Sequence, residues 1–377
     1  MNKNFKILLI VMSIGSLSYS IFNVIFPLYL DYKQISLPTI GIIYALPTFL
    51  YLLSRLVAGI EADIHGRKVF YSLAFLIGSL VNFLYAIASN AWHFLFIRFF
   101  EKTSTALNDA VDHILIYEAV EKKKVGDAFG KLKGVSNFLG FFGTSIAGFL
   151  LILLGYSNSI VFCGLTLFIG FLIFLKFHEK KFKKSHYDQL SNVFDTNLTR
   201  NMKIYTFSRF FYDVSNGMVI TFGIQLFLIK FFNVSPIYLS ITLGLSTLFY
   251  SATSFFFGKL SDSFPPNKIC FVIFILVGIL TILIGLLPSV LLVSLLWIFS
   301  GILGTSAPAT RKMINEYARV NFRGKDTNIA ATIASTADFF GPLLTGFLGS
   351  IFFPLVFIWS GVFLIIAGIP LMLIKNS

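Results

Sequence analysis

Apolar runs of about 20 residues follow one another along almost the whole chain, separated by short polar breaks. A helix needs roughly that many apolar residues to cross the hydrocarbon core of a bilayer. Lipid offers no partner to a bare backbone N–H or C=O, so a continuous apolar run must satisfy its own backbone as a helix. Twelve runs can be drawn: 6–30, 36–58, 69–89, 91–116, 128–154, 158–177, 203–230, 236–257, 269–287, 290–313, 327–350 and 352–374. Three boundaries rest on single residues, Asn90, Pro288 and Pro354. Composition agrees with this division: 56% of residues are hydrophobic, 12% are charged and the mean hydropathy is +0.83. A soluble domain must cover its outer face with polar groups, and this chain has too few of them. The expected fold class is an all-α integral membrane protein with twelve transmembrane helices, the lipid bilayer being its first partner.

The placement of Lys and Arg tests the count. With the N-terminus inside, the external turns hold only Lys33 and Lys230, while Arg98, Lys102 and Arg209 fall within spans. The remaining basic residues lie in or beside cytoplasmic segments, which is the positive-inside bias, and an even number of spans puts both termini in the cytoplasm. A cell (plasma) membrane location follows as the expectation. The net charge of +13 is thereby explained by topology. Nucleic-acid binding, which would want a basic face on a soluble module, is excluded. The first run has no small-residue cleavage site and reads as a span. Cys163 and Cys270 stand alone in apolar segments, the His residues are scattered, and no disulfide or metal spacing exists. No cofactor or metal is expected.

The chain repeats itself. GIEADIHGRK, Gly59 to Lys68, returns in degraded form as GKLSDSFPPNK, Gly258 to Lys268, so that Asp63 corresponds to Asp262. In each copy a glycine closes an apolar run and a charged hairpin leads to the next. VSNFLGFFGTSIAGF, from Val135, aligns with TADFFGPLLTGFLGS, from Thr336, placing Gly140 against Gly341 and Asn137 against Asp338. IYEA at Ile116 and INEY at Ile314 precede them in the same order. A basic polar stretch separates six runs from six. The expected organisation is an N-terminal six-helix bundle over 1–177, a cytoplasmic basic linker over 178–202 and a C-terminal bundle over 203–377. Internal repetition of this kind suits proteins that bind a solute where the repeats meet.

G-x-x-x-D-x-x-G-R-K between the second and third runs, its worn copy between the eighth and ninth, and the 6+6 layout resemble the major facilitator superfamily over essentially the whole chain. Ile64 stands where the family often has a basic residue, and Glu61 where an apolar one is usual. The resemblance implies two pseudo-symmetric six-helix bundles and transport by alternating access. It also implies that the end of span 2 meets the start of span 11. A carboxylate beside a helix N-terminus is stabilised by the helix dipole, so Gly59, Asp63, Gly66, Arg67 and Lys68, with Gly258 and Asp262, are the expected conformational gate. Arg98 occupies the place of a recurring family arginine associated with proton coupling in drug–proton antiporters. Glu101-Lys102 replaces the polar-Gly pair expected after it. The Gly-Pro kink that marks antiporters in span 5 is missing at Gly140, and a likeness of it appears in span 11 as Gly341-Pro342. These three are the expected hinge and packing residues.

Ionisable groups inside a membrane cost about 2.5–3.5 kcal/mol each on insertion scales, so they face a wet cavity or a partner. Span 4 holds Arg98, Glu101 and Lys102; Arg98 and Glu101 share a helix face, while Arg98 and Lys102 repel. Span 7 holds Arg209 and Asp213, spaced to pair on their own helix, and span 11 holds Asp338. All fall on helices that line the central cavity in the family fold. These six are the expected central-cavity and proton-coupling residues, with Glu101, Asp213 and Asp338 the candidate proton carriers. The expected function is a monomeric secondary active transporter of a small organic solute, proton-coupled, with export favoured. Uptake of a sugar, amino acid or carboxylate is the alternative, coupled or passive. An integral-membrane enzyme would need clustered catalytic groups at one membrane face, and only Asp109 and Asp112 form a close acidic pair. A sensor on the same fold would need an output domain, and there is no P-loop for a primary pump.

Overall fold

The computed structural model describes residues 3–120, 125–179, 198–304, 306–319 and 323–374. The expected linker at 178–202 falls mostly outside the described residues, and so does the side chain of Asp63. The helices are α1 (Lys3–Tyr32), α2 (Leu37–Ala45), α3 (Pro47–His65), α4 (Arg67–Ile87), α5 (Ala91–Ala119), α6 (Val125–Phe174), α7 (Arg200–Ile220) and α8 (Gly223–Leu226). A wide π-turn at Phe227–Phe231 follows α8. Then come α9 (Pro236–Ser263), α10 (Pro266–Leu286), α11 (Val290–Leu303), α12 (Ala307–Tyr317), α13 (Arg323–Ser335), α14 (Ala337–Ile351) and α15 (Pro354–Gly368), ending in a 3₁₀ turn at Ile369–Leu373.

Among the described residues, nine stretches are long and apolar enough to cross a membrane by length and composition. One of these, Ala128–Phe174, holds two expected spans, because α6 bends at Gly155, which adopts φ 75° and ψ 175°. Helix α5 escapes that measure through its charged residues, and span 11 through a break at Thr336 between α13 and α14. Together these account for the twelve expected spans of an all-α integral membrane protein.

Helix boundaries follow local chemistry. The Asn90 side chain accepts from His93 N at 3.0 Å and starts α5, and Thr199 accepts from Met202 N at 3.1 Å to start α7. Proline opens α3, α9, α10 and α15, where its missing N–H costs nothing. Within span 2 the same residue type interrupts the hydrogen-bond ladder, because Pro47 cannot donate to the preceding turn, while Leu46 keeps helical backbone angles, φ -58° and ψ -42°. Span 7 breaks at Thr221–Phe222, where buried Gln225 donates from Nε2 to Ile220 O at 3.1 Å. Span 10 breaks at Gly304, just before Pro308.

The repeated charged motif is more helical than expected. Helix α3 runs on to His65, so Gly59, Glu61 and the backbone of Asp63 belong to it rather than to a hairpin. The turn is essentially Gly66 alone, at φ 100°. Likewise α9 continues through Gly258 and Asp262 to Ser263. Nothing before Gly66 or Pro265 breaks a helix, and polar residues continue one readily once they can reach water.

The chain forms two compact units. The first comprises residues 1–35, 46–186 and 235–244; the second comprises 36–45, 187–234 and 245–377. In the first, α1 lies against α6, and α4 and α3 lie against α5. Leu8, Val11, Tyr71, Leu115 and Phe174 form its dense core. Its borrowed segment packs closely on α6, because Gly148 lets the Pro236 carbonyl into the space a Cβ would fill. In the second unit, α10 lies on α15, and α7 on α14 and α15. Its core joins Met202, Tyr205, Cys270, Phe274 and Met313. Its borrowed helix α2 packs on α14, where a Cβ at Gly346 would stand 2.6 Å from Leu37 O.

Candidate functional site

Helix α5 carries a polar stripe. Glu101, Ser104, Thr105, Asn108 and Asp109 recur at the three- and four-residue spacing that puts side chains on one helix face. They line a cavity of about 420 Å³ inside the first unit, with walls from α1, α4 and the two arms of α6. Arg98, 5% exposed, donates from Nη1 to Glu101 Oε2. Tyr85 OH donates to the same oxygen at 2.8 Å. The Arg98 guanidinium lies over the Phe26 ring, 4.9 Å from its centroid. A buried cation is thus held by a carboxylate, a ring face and the helix it grows from.

Lys102, one residue round the helix from Glu101, turns away toward α3, its Nζ 5.9 Å from the centroid of the Tyr51 ring. Tyr51 OH donates to Asp109 Oδ2 at 2.8 Å, and Arg55 Nη1 donates to Tyr51 OH at 3.3 Å. The polar stripe is therefore tied to α4 at one end through Tyr85 and to α3 at the other through Tyr51.

In the second unit, Arg209 Nε donates to Asp213 Oδ2 at 2.7 Å along α7, and the guanidinium lies 5.0 Å from the Tyr212 ring centroid. Asp338 sits exposed in the first turn of α14, just after the break at Thr336. Gly341 and Pro342 lie at close helix contacts: a Cβ at Gly341 would stand 2.9 Å from Val214 O, and one at Gly41 would stand 2.7 Å from Pro342 O. Gly140 packs on α1, near the Ser16 and Ser20 hydroxyls. The six expected cavity residues thus divide three and three between the two units, with one ion pair in each.

The motif turn at Gly66 is anchored within the first unit. Glu179, beyond the end of α6, accepts from Arg67 N at 2.7 Å and from Lys68 N at 3.3 Å. A carboxylate on the first N–H groups of α4 satisfies donors that the helix cannot pair itself and complements its dipole. Arg67 Nη1 donates to Glu118 Oε1 near the end of α5, and Lys68 Nζ to Leu175 O at 2.9 Å. In the second unit, Asn267 Nδ2 donates to Leu371 O at 3.1 Å, and Lys312 Nζ to Ser261 O at 2.6 Å. Asp262 is exposed. There too, Arg319 grips the fully buried Asp326 with Nη2–Oδ1 at 2.7 Å and Nε–Oδ2 at 3.1 Å, and its own backbone N–H donates at 2.9 Å.

Sequence reasoning missed Glu179, Tyr51, Tyr85 and the Arg319–Asp326 pair. The one usable signal was that Glu118 stands in the repeated IYEA segment; the others are contacts across the fold with no local spacing rule.

Spanning helices in two repeated sets, with an ion pair held inside each, define a multi-pass membrane transporter. The chain belongs to the Major Facilitator Superfamily, whose model matches residues 8–195 and 205–377. It is 23% identical over 345 residues to an uncharacterized MFS-type transporter, MJ1317, of Methanocaldococcus jannaschii, covering 89% of this chain and 86% of that one. Among solved structures it resembles a bacterial homolog of the human lysosomal transporter Spinster in its inward-facing and occupied conformation. There the TM-score is 0.82 at 15% identity, over 98% of this chain and 95% of that one. It also resembles the nucleoside transporter NupG, with a TM-score of 0.81 at 12% identity, over 98% of each chain. At such identities the likeness is one of fold. The protein is a transporter rather than an enzyme, with a small molecule as its substrate and the bilayer as its solvent.

Proposed function

We propose that this protein is a secondary active transporter that exports a small organic solute in exchange for protons, by alternating access of the halves 1–177 and 203–377 joined by the linker 178–202. It works as a monomer in the plasma membrane with both termini in the cytoplasm. The observation that carries the reading is the Arg98–Glu101–Tyr85 cluster, an ionisable group inside a spanning helix that a static scaffold would not need. Arg209–Asp213 supplies a second such pair and Asp338 a further carboxylate. Breaking and remaking the Arg98–Glu101 contact as the helices move is the elementary step of coupling in this reading. Asp63, Arg67, Lys68 and Asp262, with Gly59, Gly66 and Gly258, form the gate that biases which side is open. Gly140, Gly341 and Pro342 are its packing pivots.

Purified protein in proteoliposomes tests the coupling. An imposed pH gradient drives solute flux in the wild type, and Glu101→Gln with Asp338→Asn abolishes the gradient's effect while leaving exchange at equal pH. Flux in the double variant that still follows the gradient refutes the assignment. Flux in the opposite sense to the proton-driven export described here would replace export by uptake.

A further inference from the structure

The polar lining of the cavity in the first unit has a bias that composition conceals. Four of its serine and threonine hydroxyls have already committed their hydrogens to backbone carbonyls. Ser16 donates to Ser136 O at 2.7 Å, Ser18 to Cys163 O at 3.0 Å, Ser104 to Ala74 O at 2.6 Å and Thr105 to Glu101 O at 3.0 Å. What they turn to the cavity is lone pairs. Asn82 does the same: its Nδ2 donates to Gly78 O at 2.8 Å, while Oδ1, on a side chain only 7% exposed, has no hydrogen-bond partner among the described residues. The charged groups among the described lining residues are the carboxylates Glu101 and Asp109, with no Lys, Arg or His among them. Among the described lining residues the donors left over are the Asn108 amide, the Ser136 hydroxyl and the phenols of Tyr19 and Tyr71, so acceptors predominate.

Acceptors that line a cavity are satisfied by water or by the N–H groups of a guest, so such a lining favours a donor-rich guest over an acceptor-rich one. The walls between these acceptors are aromatic, with Phe22, Tyr71 and Phe75 facing the cavity. Ring faces attract cations and cover apolar bodies. Glu101 already holds Arg98, so Asp109, held only by the Tyr51 hydroxyl among the described residues, is the better anchor for a new cation.

We propose that this cavity binds an organic ammonium ion, its N–H donors on Asp109 and Asn82 Oδ1 and its apolar body against Phe22, Tyr71 and Phe75. The proposal rests on the transporter reading and names the solute class for it. It places the solute inside the first unit and gives the substrate a sign that the balanced charges of the sequence left open.

The test is equilibrium binding by calorimetry to the full-length detergent-purified protein, which needs no transport. The probes are 4-phenylbutylammonium and phenethylammonium, against uncharged 4-phenylbutanol and anionic 4-phenylbutyrate. The ammonium ions should bind, the alcohol should bind about tenfold or more weakly, and the carboxylate should not bind. Asp109→Asn should weaken the ammonium by about tenfold or more, and Asn82→Leu by a smaller factor. Should Asp109→Asn fail to fold, Asn108→Cys serves instead. Its modification by a methanethiosulfonate reagent should slow with 4-phenylbutylammonium and not with 4-phenylbutyrate. Equal binding of ammonium and carboxylate, no binding of either ammonium, or unchanged affinity in folded Asp109→Asn each overturns the proposal. None of these touches the transporter reading, which falls only if proteoliposomes show no solute flux under a gradient.

Discussion

Corresponding turns of the two repeats are held by different chemistry. In the first unit the turn after α3 is fastened by charge: Arg67 on Glu118, and Glu179 on the first N–H groups of α4. In the second, the start of α10 needs no such cap, because Pro266 has no N–H to satisfy, and Asn267 makes a neutral bond to Leu371 O. Charge reappears there one connection later, at Arg319–Asp326, and deeper on its acidic side: Asp326 is fully buried and Arg319 keeps 26% of its side-chain surface, while Arg67 and Glu118 keep 17% and 27%. Duplicated sequence has therefore kept the position of the anchors and changed their material. An ion pair with both partners partly in water is adjustable and sensitive to salt; one whose carboxylate is fully buried is less so.

The largest effect that would break this comparison is at Arg319. Arg319→Ala should cost about 3–5 kcal/mol, read as a lowered unfolding midpoint in detergent, because it strands a carboxylate that has no exposed surface. Arg319→Met with Asp326→Leu should recover most of it. A mild effect of Arg319→Ala would mean that the pair is not the deep anchor of its unit. Next in size, Glu118→Gln should cost about 1–2 kcal/mol, with the deficit shrinking between about 0.1 and 1 M salt, whereas the Arg319→Ala deficit should hardly change. Equal salt sensitivity at the two sites would erase the distinction. Removing the cap with Glu179→Ala should cost about 1 kcal/mol and raise hydrogen exchange at Arg67 and Lys68 first. The smallest effect is expected at Tyr317. Burial pushes its phenol above the ordinary value of 10.0, with Glu316 beside it adding to the shift. A raised folded-state value means stability is present below pH 10 and falls as pH rises beyond it. Tyr317→Phe should flatten that alkaline loss, seen as a midpoint that no longer declines in the same window.

Much of the architecture was legible because the bilayer imposes simple rules. The boundaries at Asn90, Pro288 and Pro354 coincide with the starts of α5, α11 and α15, since each rests on a cap or a missing donor that acts locally. The pairs Arg98–Glu101 and Arg209–Asp213 obey helix spacing and needed no knowledge of the fold. The breaks inside spans 2, 7, 10 and 11 were hidden, since hydropathy is blind to a single turn in an apolar run. Pro47 and Gly304 were visible, but the same residue types elsewhere leave helices intact, as Pro27 does in α1. The acceptor bias of the cavity was illegible for a different reason. Ser16, Ser18 and Ser104 read as neutral polar residues until the carbonyls that take their hydrogens, on distant helices, are known.

The borrowed segments bear on how the chain is made. Residues 235–244 complete the first unit, and 36–45 belong to the second. During synthesis the leading bundle must wait, with one flank unfinished, until translation has passed Gly244, about two to eight seconds after the basic linker is made at ordinary elongation rates. Throughout that interval α2 has been inserted with its eventual neighbour, α14, still unmade. Lipid or an insertase must shelter both surfaces, and a gene cut at the linker would yield two products that each lack a piece held by the other.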